Sequence, residues 1–233
     1  MAFLHTEIDL QAGMAALVAQ DPRLAPVLEK AGMPGLRRRE DGYAGLCAIV
    51  CGQQLSTASA AAIRNRLFGA FEPFHHDAVR SARPDKLARL GLSRPKIKTI
   101  KAIATAIAKG HIDLEAVANM EADKAHIALT AMHGIGPWTA DIYLLFCLGN
   151  ADAWPAGDLA LQESARIALG LRRRPDAKAM VKLARKWRPW RGVAAHLLWA
   201  YYHAVKRREG APVVDKSKPV RVNKNKNGAG NGR

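Results

Sequence analysis

Asp158, the indoles of Trp138 and Trp154, and the Gly134-Ile135-Gly136-Pro137 turn stand close together in this sequence, and their types suggest a division of labour. An ionised carboxylate places negative charge opposite a developing cation and accepts a proton from attacking water. Indole faces attract planar cations by cation–π attraction worth about 0.5–2 kcal/mol. Glycine takes positive φ at little cost and lets another backbone come close, and Pro137 suits the first turn of a helix, where its missing N–H is no loss. A helix that starts there opens on free N–H groups, which attract a phosphate. Each feature also has a plainer reading. Gly-x-Gly can be an ordinary helix–helix turn, and an Asp at a helix start is usually an N-cap.

The elements that position these residues follow from the apolar spacing. Residues 122–132 are Ala-rich with apolar residues at helical intervals, and the helical pattern resumes from Pro137 through Leu148. A loop at 151–157 then delivers Asp158 to a helix at 159–169. Upstream, helices are expected at 8–20 and 21–31, with Asp21-Pro22 as cap and first turn, at 43–52, and at 57–68 with Ser56 as N-cap. A Pro/Gly/Arg connector occupies 33–41. A short helix closes at Gly91, and Ser93 caps a longer one at 94–109, whose Lys96, Lys98 and Lys101 read as a solvated face. The last long helix spans 193–208, preceded by Trp187-Arg188-Pro189-Trp190-Arg191-Gly192. No stretch alternates long enough to build a sheet, so the fold is all-α.

A chain of 233 residues with 49% hydrophobic side chains can bury a substantial core, and a formal net charge of +16 calls for a polyanionic partner, with nucleic acid favoured over membrane. Residues 206–233 carry nine Lys/Arg against Glu209 and Asp215 in a Lys/Asn/Gly-rich run without apolar periodicity, which reads as a basic, disordered tail. No signal peptide or membrane-spanning run is seen, so the protein is expected to be intracellular, cytoplasmic or on the nucleoid, and monomeric. Cys47, Cys51 and Cys147 form neither a disulfide framework nor a four-cysteine cluster site.

The run Gly134-Ile135-Gly136-Pro137-Trp138-Thr139-Ala140, the loop ending in Asp158, the Gly52-Gln53-Gln54-Leu55-Ser56 turn, the run Leu90 to Lys96 and the Trp187 to Gly192 run together resemble the helix-hairpin-helix Gly/Pro-rich Asp (HhH-GPD) superfamily of DNA glycosylases, in particular its 3-methyladenine DNA glycosylase II (AlkA-like) branch. The resemblance covers roughly 43–203. It implies a two-lobed helical domain, here over 1–205, with a cleft between the lobes; much of the branch has an added N-terminal α/β domain, for which the roughly forty residues before 43 are too few, so none is expected. It implies Asp158 as the catalytic acid, Trp138 as a wall of the base pocket with Trp154 or Tyr143 beside it, and His133, Gly134, Ile135, Gly136 and Thr139 as the DNA-gripping hairpin. Gln54 and Leu55 would fill the gap left by a flipped nucleotide, with Gln53 in support. Arg188 and Arg191 would assist near the catalytic acid or the phosphates. The hairpin carbonyls of Thr130, Met132 and Ile135 would hold a monovalent cation. Branches with lyase activity carry a Lys where Trp138 stands here, so the resemblance implies a monofunctional enzyme; no cofactor is expected to be required, and without the four cysteines that some relatives carry no iron–sulfur cluster is expected. His133 departs from the Pro that is common at its position.

The expected partner is thus damaged double-stranded DNA. The expected reaction is hydrolysis of the N-glycosidic bond of an extruded alkylated base of the 3-methyladenine or 7-methylguanine type. Such a base is already cationic and needs no strong general acid, and Asp141 and Asp152 are expected nearer the surface. A glycosylase for deaminated bases such as hypoxanthine or uracil, and a non-catalytic DNA-binding protein with Asp158 only a cap, remain alternatives.

Overall fold

The computed structural model describes residues 2–210, and no strand occurs among them beyond an isolated bridge between Phe3 and Asn150. In chain order the helices are α1 (Glu7–Gln20), α2 (Ala25–Ala31), α3 (Gly42–Gly52), α4 (Thr57–Gly69), α5 (His76–Ser81), α6 (Pro84–Arg89), α7 (Arg94–Ala108), α8 (Leu114–Ala118), α9 (Ala122–Thr130), α10 (Pro137–Ile142), α11 (Leu159–Ala168), α12 (Ala177–Ala184) and α13 (Arg191–Gly210). The chain is all-α, as its apolar spacing predicts. α5 and α8 were not read from sequence, since one to two turns carry too little periodicity. α13 runs on to Gly210, past the expected end of the folded domain at 205. The remainder of the basic tail lies outside the described residues.

Helix contacts fall into two groups. In one, α7 packs against α3, α5 and α6, and α3 also packs on α4; in the other, α13 packs against α1, α2 and α11. α7 buries Ile97, Ile100, Ile103 and Ala104 on one face, and each fully buried Ile contributes about 1.5–3 kcal/mol relative to exposure. Two of its lysines depart from the expected solvated face. Lys96 donates to the Cys51 carbonyl, and Lys101 donates to the carbonyls of Arg80 and Ala82, so these ammonium groups tie helix ends together.

The expected straight helix from 137 to 148 is instead α10 followed by a π-helical stretch, Tyr143–Cys147, every residue of which is buried. Its hydrogen bond from Leu148 N–H to the Tyr143 carbonyl spans five residues. This places Tyr143 in the core rather than on a pocket wall: its side chain is fully buried and its hydroxyl accepts from the Gly42 N–H at 3.1 Å.

Two expected caps differ in detail. Asp21 makes no capping bond, and residues 22–24 form a 3-10 turn before α2. Its buried carboxylate instead accepts from Arg23 and from Trp187 Nε1 and pairs with Lys186. Burial alone would raise its pKa, but these donors hold it well below the usual carboxylate range. Ser93 precedes α7 without a side-chain bond to its amides.

Candidate active site

The loop that carries the catalytic candidate is clipped at its base. Leu4 N–H donates to the Gly149 carbonyl, Ala151 N–H to the Ala2 carbonyl, and Gly192 N–H to the Ala151 carbonyl, so the N-terminal segment and the start of α13 both hold it. Gly192 has no room for a side chain, since a Cβ would lie 2.8 Å from the Ala151 carbonyl oxygen. The loop delivers Asp158, half-buried, to the N-cap of α11, where Oδ1 accepts from the Leu161 N–H at 3.0 Å. The expected capping role is therefore present, and it does not consume the carboxylate.

Two indoles complete the set. Trp138 Nε1–H donates to Oδ2 at 3.0 Å, and Trp199 Nε1–H donates to Oδ1 at 3.2 Å. A carboxylate offers about four acceptor positions. With Oδ1 accepting twice and Oδ2 once, the open position is on Oδ2. Trp199 was missed in the sequence, where it reads as one more apolar residue of the last helix; its ring packs at 5.4 Å on Phe146, which Arg39 covers. The only sequence signal was an indole N–H on a buried helix, which needs an acceptor.

At the hairpin the residues alternate. Gly134 and Gly136 are exposed, and their N–H groups have no acceptor among the described residues, whereas Ile135 is buried and its N–H turns inward to the Met132 carbonyl at 3.1 Å. Gly134 has φ +82, and a Cβ there would lie 2.0 Å from Thr99 Oγ1. Gly136 differs from expectation, with φ −83 and nothing within 4 Å of a Cβ, so its conformation does not require glycine. What its lack of a side chain leaves is open surface beside a free amide. His133 is exposed on the same turn. Ile135 and Thr139, expected as DNA contacts, are core-facing; Thr139 is 3% exposed and its hydroxyl accepts from Gln53 Nε2 at 2.9 Å. That bond ties the 53–55 turn to α10, which gives Gln53 its supporting place. On this turn Gln54 holds φ +57, a left-handed conformation uncommon for a side chain with Cβ, and Leu55 is exposed. No backbone N–H among the described residues bonds the Thr130 or Ile135 carbonyl, while Met132 accepts only from Ile135, so all three have lone pairs to offer a cation.

Trp138 borders three hollows. One of about 500 Å³ is formed with Gln53, Gln54 and Gly136; a cleft of about 590 Å³ includes Leu55, Arg38, Arg39, Arg64 and Asn65; and a cavity of about 980 Å³ includes Trp154, Asp141, Asp152 and Gly157. Trp138 and Trp154 thus share a cavity, but Trp154 is absent from the cleft that Leu55 enters. Trp154 is buried, with its Nε1–H donated to the Met180 carbonyl.

Arg188 and Arg191 do not reach Asp158. Arg191 is buried and forks onto both oxygens of Asp152 at 2.8 Å while also bonding Asp123 at 2.9 Å; Arg188 bonds Asp123 and lies within 3.6 Å of Asp152. Their charge is matched by acids on α9 and on the loop to Asp158, so they anchor that loop rather than assist at the carboxylate. Asp141 and Asp152, expected nearer the surface, are buried or nearly so for the same reason. Asp152 is matched by Arg191, and Asp141 lies 2.8 Å from His126 Nδ1.

The three cysteines are buried free thiols, and burial pushes the Cys51 thiol up to about 11 and that of Cys147 up to about 12. No described helix is long and apolar enough to cross a membrane.

The chain is similar to known proteins over most of its described length. The family described as HhH-GPD superfamily base excision DNA repair protein matches residues 47–189. A Mycobacterium tuberculosis protein named "Probable bifunctional transcriptional activator/DNA repair enzyme AlkA" is 33% identical over 205 residues, which are 82% of this chain and 40% of that protein. The chain therefore spans well under two thirds of that relative's length. Among solved structures, a DNA-3-methyladenine glycosidase from Bacillus halodurans superimposes with TM-score 0.76 at 28% identity, covering 84% of this chain and 91% of the other. A 3-methyladenine DNA glycosylase from Schizosaccharomyces pombe in complex with abasic DNA does so with TM-score 0.71 at 27% identity, covering 81% and 95%.

Proposed function

Because the chain belongs to the HhH-GPD superfamily of base excision DNA repair proteins, we propose that it is a monofunctional DNA glycosylase that hydrolyses the N-glycosidic bond of flipped-out alkylated bases in duplex DNA, of the 3-methyladenine and 7-methylguanine type. The observation that carries this reading is Asp158, held by three N–H donors at a helix start with one acceptor position open beside Trp138. The printed names support its coarser part, DNA repair for the Mycobacterium relative and 3-methyladenine glycosylase for the two solved structures.

In this reading the free N–H groups of Gly134 and Gly136 take a backbone phosphate, a contact that holds the strand without reading its sequence. The carbonyls of Thr130, Met132 and Ile135 would hold a monovalent cation, which would add positive charge beside that phosphate. Gln54 and Leu55 enter the duplex and offset part of the few kcal/mol lost on unstacking. The extruded base lodges in the cleft that Leu55 and Trp138 line. The indole attracts a cationic alkylated purine, and the open position on Asp158 Oδ2 orients water and faces the developing sugar cation. No Lys lines the cleft, and Trp138 stands where an amine nucleophile would be needed for lyase chemistry, which supports hydrolysis by water.

One observation favours a second reading. Arg38, Arg39, Arg64 and Asn65 line the cleft beside Glu40, and their N–H donors suit a neutral base with carbonyl oxygens, such as hypoxanthine or uracil. Base release from oligonucleotides bearing 3-methyladenine, 7-methylguanine, hypoxanthine or uracil separates the two. Release of the alkylated bases is expected, release of the neutral ones alone would replace the first reading with the second, and release of none would leave a non-catalytic DNA-binding protein.

A further inference from the structure

Away from the hairpin and the cleft, the side chains of His75, His76 and Asp77 converge. One nitrogen of each imidazole and an Asp77 carboxylate oxygen all lie within 4.8 Å of one another, and among the described residues no other three His, Cys, Asp or Glu side chains gather in this way. A single oxygen, Asp77 Oδ2, stands 3.8 Å from His75 Nδ1 and 3.8 Å from His76 Nε2.

The surroundings hold two of the three groups in place and leave the right atoms open. The His76 ring stands edge-on to Tyr43 at 6.2 Å, and the buried Tyr43 is itself fixed by its hydroxyl, which donates to the Ile100 carbonyl. Asp77 Oδ1 accepts from Arg80 Nε and Nη2, so the carboxylate is oriented and Oδ2 stays open. His75 Nδ1 accepts only a long bond, 3.3 Å, from the Asp77 N–H, at an exposed position where water can take over that donor. Burial, and after it the neighbouring His75, lowers the His76 pKa, so this imidazole keeps the lone pair that a metal needs.

Two imidazole nitrogens and one carboxylate oxygen suit zinc and its neighbours, and a hard ion such as magnesium prefers a cage of oxygens. Bonds of about 2.0–2.1 Å in tetrahedral geometry put ligand atoms roughly 3.3–3.4 Å apart. Each 3.8 Å gap must therefore close by a few tenths of an ångström, and His75 and Asp77, both more than half exposed, are free to turn. We propose that His75, His76 and Asp77 form a binding site for one divalent transition-metal ion of the zinc class, with one nitrogen of His75, His76 Nε2 and Asp77 Oδ2 as ligands and water in the remaining position. The site stands independently of the glycosylase reading.

The test is calorimetric titration of the full chain, without an affinity tag, with zinc chloride and with magnesium chloride. One zinc ion per chain is expected to bind saturably, and magnesium is not. His76→Phe keeps a ring against Tyr43 and removes a ligand, and Asp77→Asn removes the ligand charge; each is expected to weaken zinc binding by about tenfold or more, no less than loss of an outer partner of a metal site costs. His111→Ala, at an exposed histidine elsewhere, is expected to leave it unchanged. Because the three residues are consecutive, the unfolded chain carries them too, so a second measurement asks whether the fold arranges them: zinc is expected to raise the urea midpoint of the wild type and not that of His76→Phe. No saturable zinc binding, binding that both ligand variants leave intact, binding lost only in His111→Ala, or a wild-type midpoint that zinc does not raise would each overturn the proposal.

Discussion

Replacing each hairpin glycine by alanine should separate folding from DNA binding at neighbouring positions. Gly134 holds φ +82, where an L side chain costs about 1–2 kcal/mol. Its new Cβ would also lie 2.0 Å from Thr99 Oγ1 and 2.8 Å from Thr99 Cβ and Cγ2, so α7 or the hairpin must move, at an overpacking cost of about 1–3 kcal/mol. Gly134→Ala should thus lose about 2–5 kcal/mol, a large part of the 5–15 kcal/mol typical of a whole domain. Thr99→Ala in the same chain removes both γ atoms and should restore part of the loss, leaving the conformational cost and the 2.8 Å approach to Thr99 Cβ. At Gly136, with ordinary φ and open space, the stability cost is only that of a poorer N-cap, about 1 kcal/mol or less. There the added methyl meets an approaching phosphate instead. Urea denaturation of the three variants, with fluorescence anisotropy on an undamaged duplex, reads both effects. A Gly134→Ala protein within 1 kcal/mol of the wild type, or a Gly136→Ala protein equally destabilised with normal DNA affinity, would refute the reasoning.

Trp138→Phe keeps an aromatic wall but removes the donor to Asp158 Oδ2. A charge-assisted hydrogen bond of about 1.5–3 kcal/mol is lost, and if it strengthens as the sugar cation develops, single-turnover base release should fall by roughly one to two orders of magnitude. Arg191→Lys cannot fork onto Asp152 and also reach Asp123, and leaves buried charge poorly matched; it should cost about 2–4 kcal/mol in chemical denaturation. His196 is buried, with Nδ1 on the Gly192 carbonyl and Nε2 without a partner, and burial lowers its pKa. A lowered folded pKa means that the unfolded chain takes the proton first. The His196 contribution is therefore whole above about pH 6.5 and is lost as pH falls below it. Urea unfolding at pH 7.5 and pH 5 should show His196→Phe losing less stability on acidification than the wild type.

Local chemistry was legible in the sequence, and long-range partnership was not. Ser56 and Asp158 cap their helices as their types and positions predict, because a cap involves only the next three residues. The hairpin turn and the helix after it could be read from Gly134 and Pro137 for the same reason. Arg188 and Arg191 were misplaced because their partners, Asp123 and Asp152, lie on other elements; nothing in an Arg-rich run says whether its charge is matched by acids or by phosphates. Trp199 escaped notice because the bond to Asp158 depends on how α13 packs against α11. Tyr143 failed as a pocket wall because five consecutive buried residues leave no polar face by which to judge which side is open.

The central claim is that Asp158 acts on the sugar cation and is more than a cap. Asp158→Asn can still accept from Leu161 through one oxygen, while its amide must face the Trp138 N–H, so the fold should hold and the catalytic charge vanish. Single-turnover base release from a methylated duplex, measured beside duplex affinity, tests this directly. The account predicts a rate lower by roughly two to three orders of magnitude or more with affinity near that of the wild type; release at the wild-type rate would contradict it.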